Sequence, residues 1–163
     1  MLLWLRLVFF TILVPGTVAG YIPYRLVQNT IPDWDLPALK WSSIFIIIIG
    51  IGLYVACALT FLLKGKGTPT IWFARSLKFI IGEEPVKMVA SGLYKYSRNP
   101  MYLAVILTVL GQAFFFQRII LLHYLLFLVI FFHLVVTAIE EPHLKKKYGK
   151  EYEEYKKKTR RWF

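Results

Sequence analysis

Residues 101–116, MYLAVILTVLGQAFFF, run into Gln117-Arg118 and then into residues 119–139, IILLHYLLFLVIFFHLVVTAI. Two apolar runs parted by only two polar residues predict an antiparallel helical hairpin in a bilayer, where a helix satisfies its own backbone groups. The first run makes a helix of about 24 Å, and the second is long enough to cross a hydrocarbon core of roughly 30 Å. Two crossings return the chain to the face it left, so Pro100 and Glu140 are expected at one membrane surface.

Upstream, Trp41 to Leu63 reads as a further span, with Ile46 to Ile49 unbroken. It leaves the membrane at Lys64-Gly65-Lys66-Gly67-Thr68-Pro69, a flexible exit. Thr70 to Val89 carries too many charges to span, and Trp72, Phe73, Leu77, Ile80 and Ile81 beside Arg75 and Lys78 suggest an interfacial helix. Met1 to Gly20 is apolar apart from Arg6. It lacks an early basic cluster and three more spans follow, so it reads as a first membrane helix kinked at Pro15-Gly16 rather than a removed leader. Tyr21 to Lys40, with three prolines and no net charge, fits an outer loop. The fold expected is all-α: one polytopic membrane domain over 1–163, with about four spans near 2–20, 41–63, 101–116 and 119–139. A connector over 64–100 and a C-terminal amphipathic helix over 142–163 complete it.

Composition agrees. With 58% hydrophobic residues and a mean hydropathy of +0.57, the chain is too apolar for a soluble domain of 163 residues. Its net charge of +11 is concentrated in two segments, Lys64–Arg98 at +5 and the stretch from Glu140 onward at +4. The positive-inside rule puts both segments, and both termini, in the cytoplasm. No nucleic-acid-binding motif accompanies the charge, so anionic lipid headgroups are the expected counter-charge. Cys57 is the only cysteine and lies in an apolar run, a packing position. No clustered ligand spacing points to a metal.

Chemistry concentrates where the hairpin meets the cytoplasm. Before it stands Ser91-Gly92-Leu93-Tyr94-Lys95-Tyr96-Ser97-Arg98-Asn99-Pro100-Met101-Tyr102. Pro100 suits a first helical position and Asn99 a cap, so a helix N-terminus beside Arg98 is expected to form an anion site. Behind the hairpin, Glu140-Glu141-Pro142 sets two carboxylates at a proline that should break or kink the helix. His133, seven residues before Glu140, shares its face on a straight helix and reads either as a base or as a hydrogen-bonded packing residue. Tyr148, Tyr152 and Tyr155 recur at helical spacing, read as packing or interfacial anchoring in preference to ligand contact.

Together, Gly65 to Pro69, Ser91 to Tyr94, Arg98-Asn99-Pro100-Met101-Tyr102, Glu140-Glu141, Leu144, Tyr148-Gly149, Tyr152 and Tyr155 resemble the integral-membrane methyltransferases. That family includes isoprenylcysteine carboxyl methyltransferase and the phospholipid N-methyltransferases. The resemblance covers about the last hundred residues. It implies S-adenosylmethionine held in a cytoplasmic pocket by Val86, Lys87, Met88, Val89, Tyr94, Asn99, Pro100, Met101, Tyr102 and Glu140. Arg98, Glu140, Glu141 and His133 are then the candidate catalytic residues, and the acceptor is a membrane-embedded lipid or lipidated molecule.

Two positions depart from the isoprenylcysteine branch. Val136 stands where that branch has an arginine associated with the substrate carboxylate, and Asn99 where it has histidine. The first departure argues against a prenylated cysteine as acceptor. Alternatives of other classes are an NADPH-dependent sterol-type membrane reductase, which usually has many more helices, and a non-catalytic scaffold, which would need neither Arg98 nor the paired glutamates.

Overall fold

The computed structural model describes residues 2–28, 30–65 and 88–162. Its helices are α1 (Leu2–Leu13), α2 (Ile22–Val27), α3 (Pro37–Thr60), α4 (Pro100–Phe116), α5 (Ile119–Val135), α6 (Glu141–Tyr148) and α7 (Lys150–Lys158). The segment read as an interfacial helix falls outside the described residues but for Met88 and Val89. Among the described residues, three helical runs are long and apolar enough to cross a membrane: Trp4–Val27, Pro37–Gly65 and Ile119–Tyr148. The fourth apolar helix, α4, has 17 residues, about 25 Å.

The first two spans are longer than the sequence suggested. The connection between these spans shrinks from Tyr21–Lys40 to a short stretch before Pro37, because α2 continues the first run to Val27 and Pro37 opens α3 as its first residue. This connection closes over the turn of the hairpin. Asp33 donates its N–H to the Gln117 carbonyl (2.9 Å), and its carboxylate accepts the Ile119 N–H (2.8 Å) and faces Arg118 (3.5 Å). An acceptor from elsewhere in the chain thus satisfies a donor at the start of α5. Gln117 adopts a left-handed conformation (φ 54°), which turns the chain between α4 and α5.

Two prolines in these spans, Pro23 and Pro142, are accommodated by one repeated device. Thr17–Tyr21 and Val136–Glu140 are π-helical, and each is followed within two residues by a proline, Pro23 and Pro142. In the first, the Ile22 N–H reaches back to the Thr17 carbonyl, which frees Val18, while Pro23 has no N–H to offer Ala19. Side chains of the hairpin supply the missing donors, Tyr124 Oη to Val18 (2.9 Å) and Gln112 Nε2 to Ala19 (2.7 Å). In the second, the Glu141 N–H goes to Val136, and the helix runs on through Pro142. Of the break or kink expected at Pro142, the break therefore does not occur. It comes at Gly149 instead, whose φ of 56° suits glycine, so α6 and α7 replace a single helix over 142–163.

The closest packing lies between α3 and α4, where small residues let two backbones approach. A Cβ on Gly50 would sit 2.5 Å from Thr108 Oγ1 and 2.8 Å from the Thr108 backbone nitrogen, and one on Gly111 would sit 2.9 Å from the Ile47 nitrogen. Around this seam Ser43, Ala104, Val109 and Ala113 are buried. Gly50→Ala or Gly111→Ala should push the helices apart and lower stability by about 1–3 kcal/mol, read as a fall in melting temperature in detergent. Gly52→Ala, which meets nothing within 4 Å, is the matched control and should be nearly neutral. Beyond this seam the core is thin, and Phe45, Ile48, Phe127, Ile130 and Leu134 stand exposed on the outer helix faces. So much exposed apolar surface requires a lipid surround.

Candidate functional site

The segment before α4 is held by the last described residues rather than by its own helix. Ser91 is extended, Gly92 takes φ 63°, and Gly92–Lys95 forms one 3₁₀ turn that buries Tyr94 against Phe61, ring centroids 5.3 Å apart. Ser97 and Arg160 form a parallel β-bridge, and the Arg98 N–H donates to the Arg160 carbonyl (2.9 Å). Asn99 Nδ2 and Ser97 Oγ both donate to the Arg161 carbonyl (3.0 and 3.4 Å). The side-chain cap expected of Asn99 is therefore absent, because its amide is engaged across the fold, although Pro100 does open α4 as its first residue.

The adjacent glutamates point to different partners, as residues about 100° apart on a helix must. Glu140 accepts a hydrogen bond from the Tyr102 hydroxyl of α4. Glu141 is buried and collects cations: Arg98 Nη1 at 3.0 Å, Arg161 Nε at 2.7 Å with Nη2 at 3.2 Å, and Lys156 Nζ at 3.6 Å. Arg98 Nη1 also donates to the Tyr152 hydroxyl (3.2 Å). Its Nε is buried and has no hydrogen-bond partner among the described residues.

Arg98, Tyr102, Glu140 and Tyr152 line a cavity of about 210 Å³. Its polar end is formed by Arg98, Asn99, Glu140 and His143, and an aromatic wall by Tyr94, Tyr148, Tyr152 and Tyr155. Toward the bundle it becomes apolar, with Phe10, Val14 and Val18 of the first span facing Val105 and Phe132 of the hairpin. Burial pushes the phenols of Tyr94, Tyr152 and Tyr155 up, so near neutral pH each remains a protonated donor. Tyr155 uses its hydroxyl to donate to the Tyr94 carbonyl (2.6 Å), tying α7 to the segment before α4.

Of the residues singled out from sequence, Met88, Val89, Tyr94, Arg98, Asn99, Met101, Tyr102 and Glu140 line the cavity. Pro100 is buried beside it, Glu141 sits behind Arg98, and Val86 and Lys87 lie outside the described residues. His133 is not brought to the cavity. It is exposed, with Trp162 Nε1 donating to its Nδ1 (3.3 Å) and the two rings stacked 6.2 Å apart. The π-helical turn between residues 136 and 140 moves the following side chains out of the α-helical register that would align His133 with Glu140.

All three members of the tyrosine stripe, read from sequence as packing or interfacial anchors, line the cavity. Sequence reasoning missed Phe10, Val14 and Val18, which line the cavity but look like any other lipid-facing residues in sequence. Among the described residues no cluster of His, Cys, Asp and Glu has the arrangement to hold a metal ion.

A family model described as phospholipid methyltransferase matches residues 44–151. The chain belongs to the phospholipid methyltransferase family. No curated protein and no solved structure gives a significant match. The chain is thus a membrane methyltransferase, and the family match displaces the reductase and scaffold readings. The matched residues run from α3 into α7, taking in the segment before α4 and both glutamates. Outside the match fall the cavity's first-span wall and the Arg160–Trp162 segment.

The family generally uses S-adenosylmethionine. The residues present fit it. The Arg98 guanidinium at the cavity wall offers donors for a carboxylate, and Glu140 an acceptor for hydroxyls or an ammonium. The tyrosines of the wall present π faces suited to an adenine or a cation.

Proposed function

We propose that this enzyme methylates a membrane-embedded lipid with S-adenosylmethionine bound at the polar end of the cavity and the acceptor's chains lying along its apolar end. The observation that carries the reading is that one cavity joins Arg98 and Glu140 to Phe10, Val18 and Val105 of the membrane helices. A polar cofactor and an apolar acceptor then meet without the acceptor leaving the bilayer.

S-adenosylmethionine supplies a methyl group on a sulfonium, open to in-line displacement. The chain's own contribution is positioning and exclusion of water, which can account for several kcal/mol of a barrier. Met88, Val89, Tyr94, Asn99, Met101, Tyr102 and Glu140 form the cofactor half of the site. Tyr102 holds the Glu140 carboxylate in place through its hydroxyl, Tyr94 and Tyr155 close the aromatic wall, and Glu141 anchors Arg98 from behind. His133 has no part in this reading.

Nor does a prenylated cysteine carboxylate. Val136, where the isoprenylcysteine branch carries an arginine, is only 1% exposed and does not line the cavity, so that position supplies no cation to a free carboxylate acceptor. The test is incubation of the purified protein with lipid extract and methyl-labelled S-adenosylmethionine, followed by mass spectrometry of the product. Label recovered in lipid supports the reading, and its absence with every lipid class sinks it.

We also propose that both termini and the site face the cytoplasm, with the exposed lysines of α6 and α7 against anionic headgroups. The charge distribution supports this. A cysteine placed at Asp35 should react with an impermeant thiol reagent on intact cells, and one placed at Lys150 only after lysis. The opposite pattern would invert the topology.

A further inference from the structure

We infer that Arg161 is a positioning residue: by taking both carboxylate oxygens of Glu141, it keeps the Arg98 guanidinium at the cavity wall, where it meets an oxyanion of the bound ligand. The inference rests on the function proposed above and concerns a residue beyond the stretch the family model matches.

The geometry argues it through competition for one carboxylate. An arginine and a carboxylate prefer two parallel hydrogen bonds. Arg161 makes that fork, with Nε 2.7 Å from Glu141 Oε1 and Nη2 3.2 Å from Oε2. Arg98 is left with one contact, Nη1 to Oε1 at 3.0 Å, and is steadied by Tyr152. Arg98 and Glu141 are 9% and 10% exposed, so the Arg98 charge stands largely out of water. A guanidinium held there by one carboxylate contact costs free energy that a further acceptor at the cavity wall would offset.

The charge count points the same way. Three cations, Arg98, Lys156 and Arg161, surround the single Glu141 carboxylate, an excess of positive charge that a ligand oxyanion would offset. Without the Arg161 side chain, Arg98 is free to turn and make the fork with Glu141 itself, drawing its donors away from the cavity.

The main chain lets this be tested without undoing the local fold. Ser97 and Asn99 hold the backbone carbonyl of Arg161, and Arg98 holds that of Arg160, so truncating the Arg161 side chain leaves those bonds in place. The oxyanion is either the carboxylate of the cofactor or the phosphate of a lipid. Two probes distinguish them, S-adenosylmethionine and phosphatidylethanolamine in detergent micelles, each titrated against wild type, Arg161→Ala and Arg161→Lys, with melting curves alongside.

Arg161→Ala should bind one probe about tenfold more weakly at a melting temperature within a few degrees of wild type. Arg161→Lys, which restores the charge but not the fork, should recover part of that loss. Loss confined to S-adenosylmethionine assigns the carboxylate, and loss confined to the lipid assigns the phosphate. Unchanged affinity for a probe that wild type binds overturns the inference while leaving the proposed function standing. Equal losses in both variants that follow a drop in melting temperature overturn it as well, since a structural prop behaves that way. A wild-type protein that binds neither probe removes the proposed function and the inference together.

Discussion

Glu140→Gln is expected to weaken S-adenosylmethionine binding about 100-fold while leaving the melting temperature nearly unchanged. Glutamine preserves the shape of the side chain and can still accept from Tyr102 through its amide oxygen, so the contact between α4 and the end of the fifth helix persists. What disappears is the negative charge at the polar end of the cavity. Hydrogen bonds to a charged group contribute about 1.5–3 kcal/mol each, and 100-fold in affinity corresponds to about 2.7 kcal/mol. Isothermal titration beside a melting curve decides the matter. Unaltered affinity would remove Glu140 from the cofactor site, and a collapse in stability would make it a structural residue instead.

Glu141 should behave in the opposite way. Glu141→Ala leaves Arg98, Arg161 and Lys156 around a vacated position, and removing one partner of a buried ion pair typically costs about 3–5 kcal/mol. Against total stabilities of about 5–15 kcal/mol, that is enough to deplete the folded protein in detergent. A double-mutant cycle of Glu141→Gln with Arg98→Met separates the pair from its surroundings. The two changes should be clearly less than additive, because the second removes the charge that the first leaves unpaired. Strict additivity in melting experiments would show that the 3.0 Å contact carries no coupling.

The contrast between these neighbours shows how far the sequence could be read. That both carboxylates lie at the foot of the hairpin follows from two apolar runs joined by Gln117-Arg118. Which one faces the cavity does not follow, since it depends on where the Arg98 segment and Arg161 come to rest. Pro142 misled for a related reason. A proline penalises an α-helix by its missing N–H and by its clash with the carbonyl four residues back, but the π-helical turn at Val136–Glu140 rearranges those bonds before the proline is reached. The same turn parted His133 from Glu140.

Composition and periodicity by themselves determined that this chain is helical, belongs in a membrane, turns back at Gln117-Arg118 and gathers its polar chemistry near Arg98 and Glu140. These are local properties, written in the spacing of apolar and charged residues along a single run. Only the tertiary structure decided that Val14 and Val18 share a cavity with Val105 and Phe132, that Tyr152 supports Arg98, and that Arg161 closes on Glu141. Such meetings join residues from about 20 to more than 100 positions apart. They are set by how close two helices can pack, as at Gly50 and Gly111, and by which carbonyls a proline leaves without a donor.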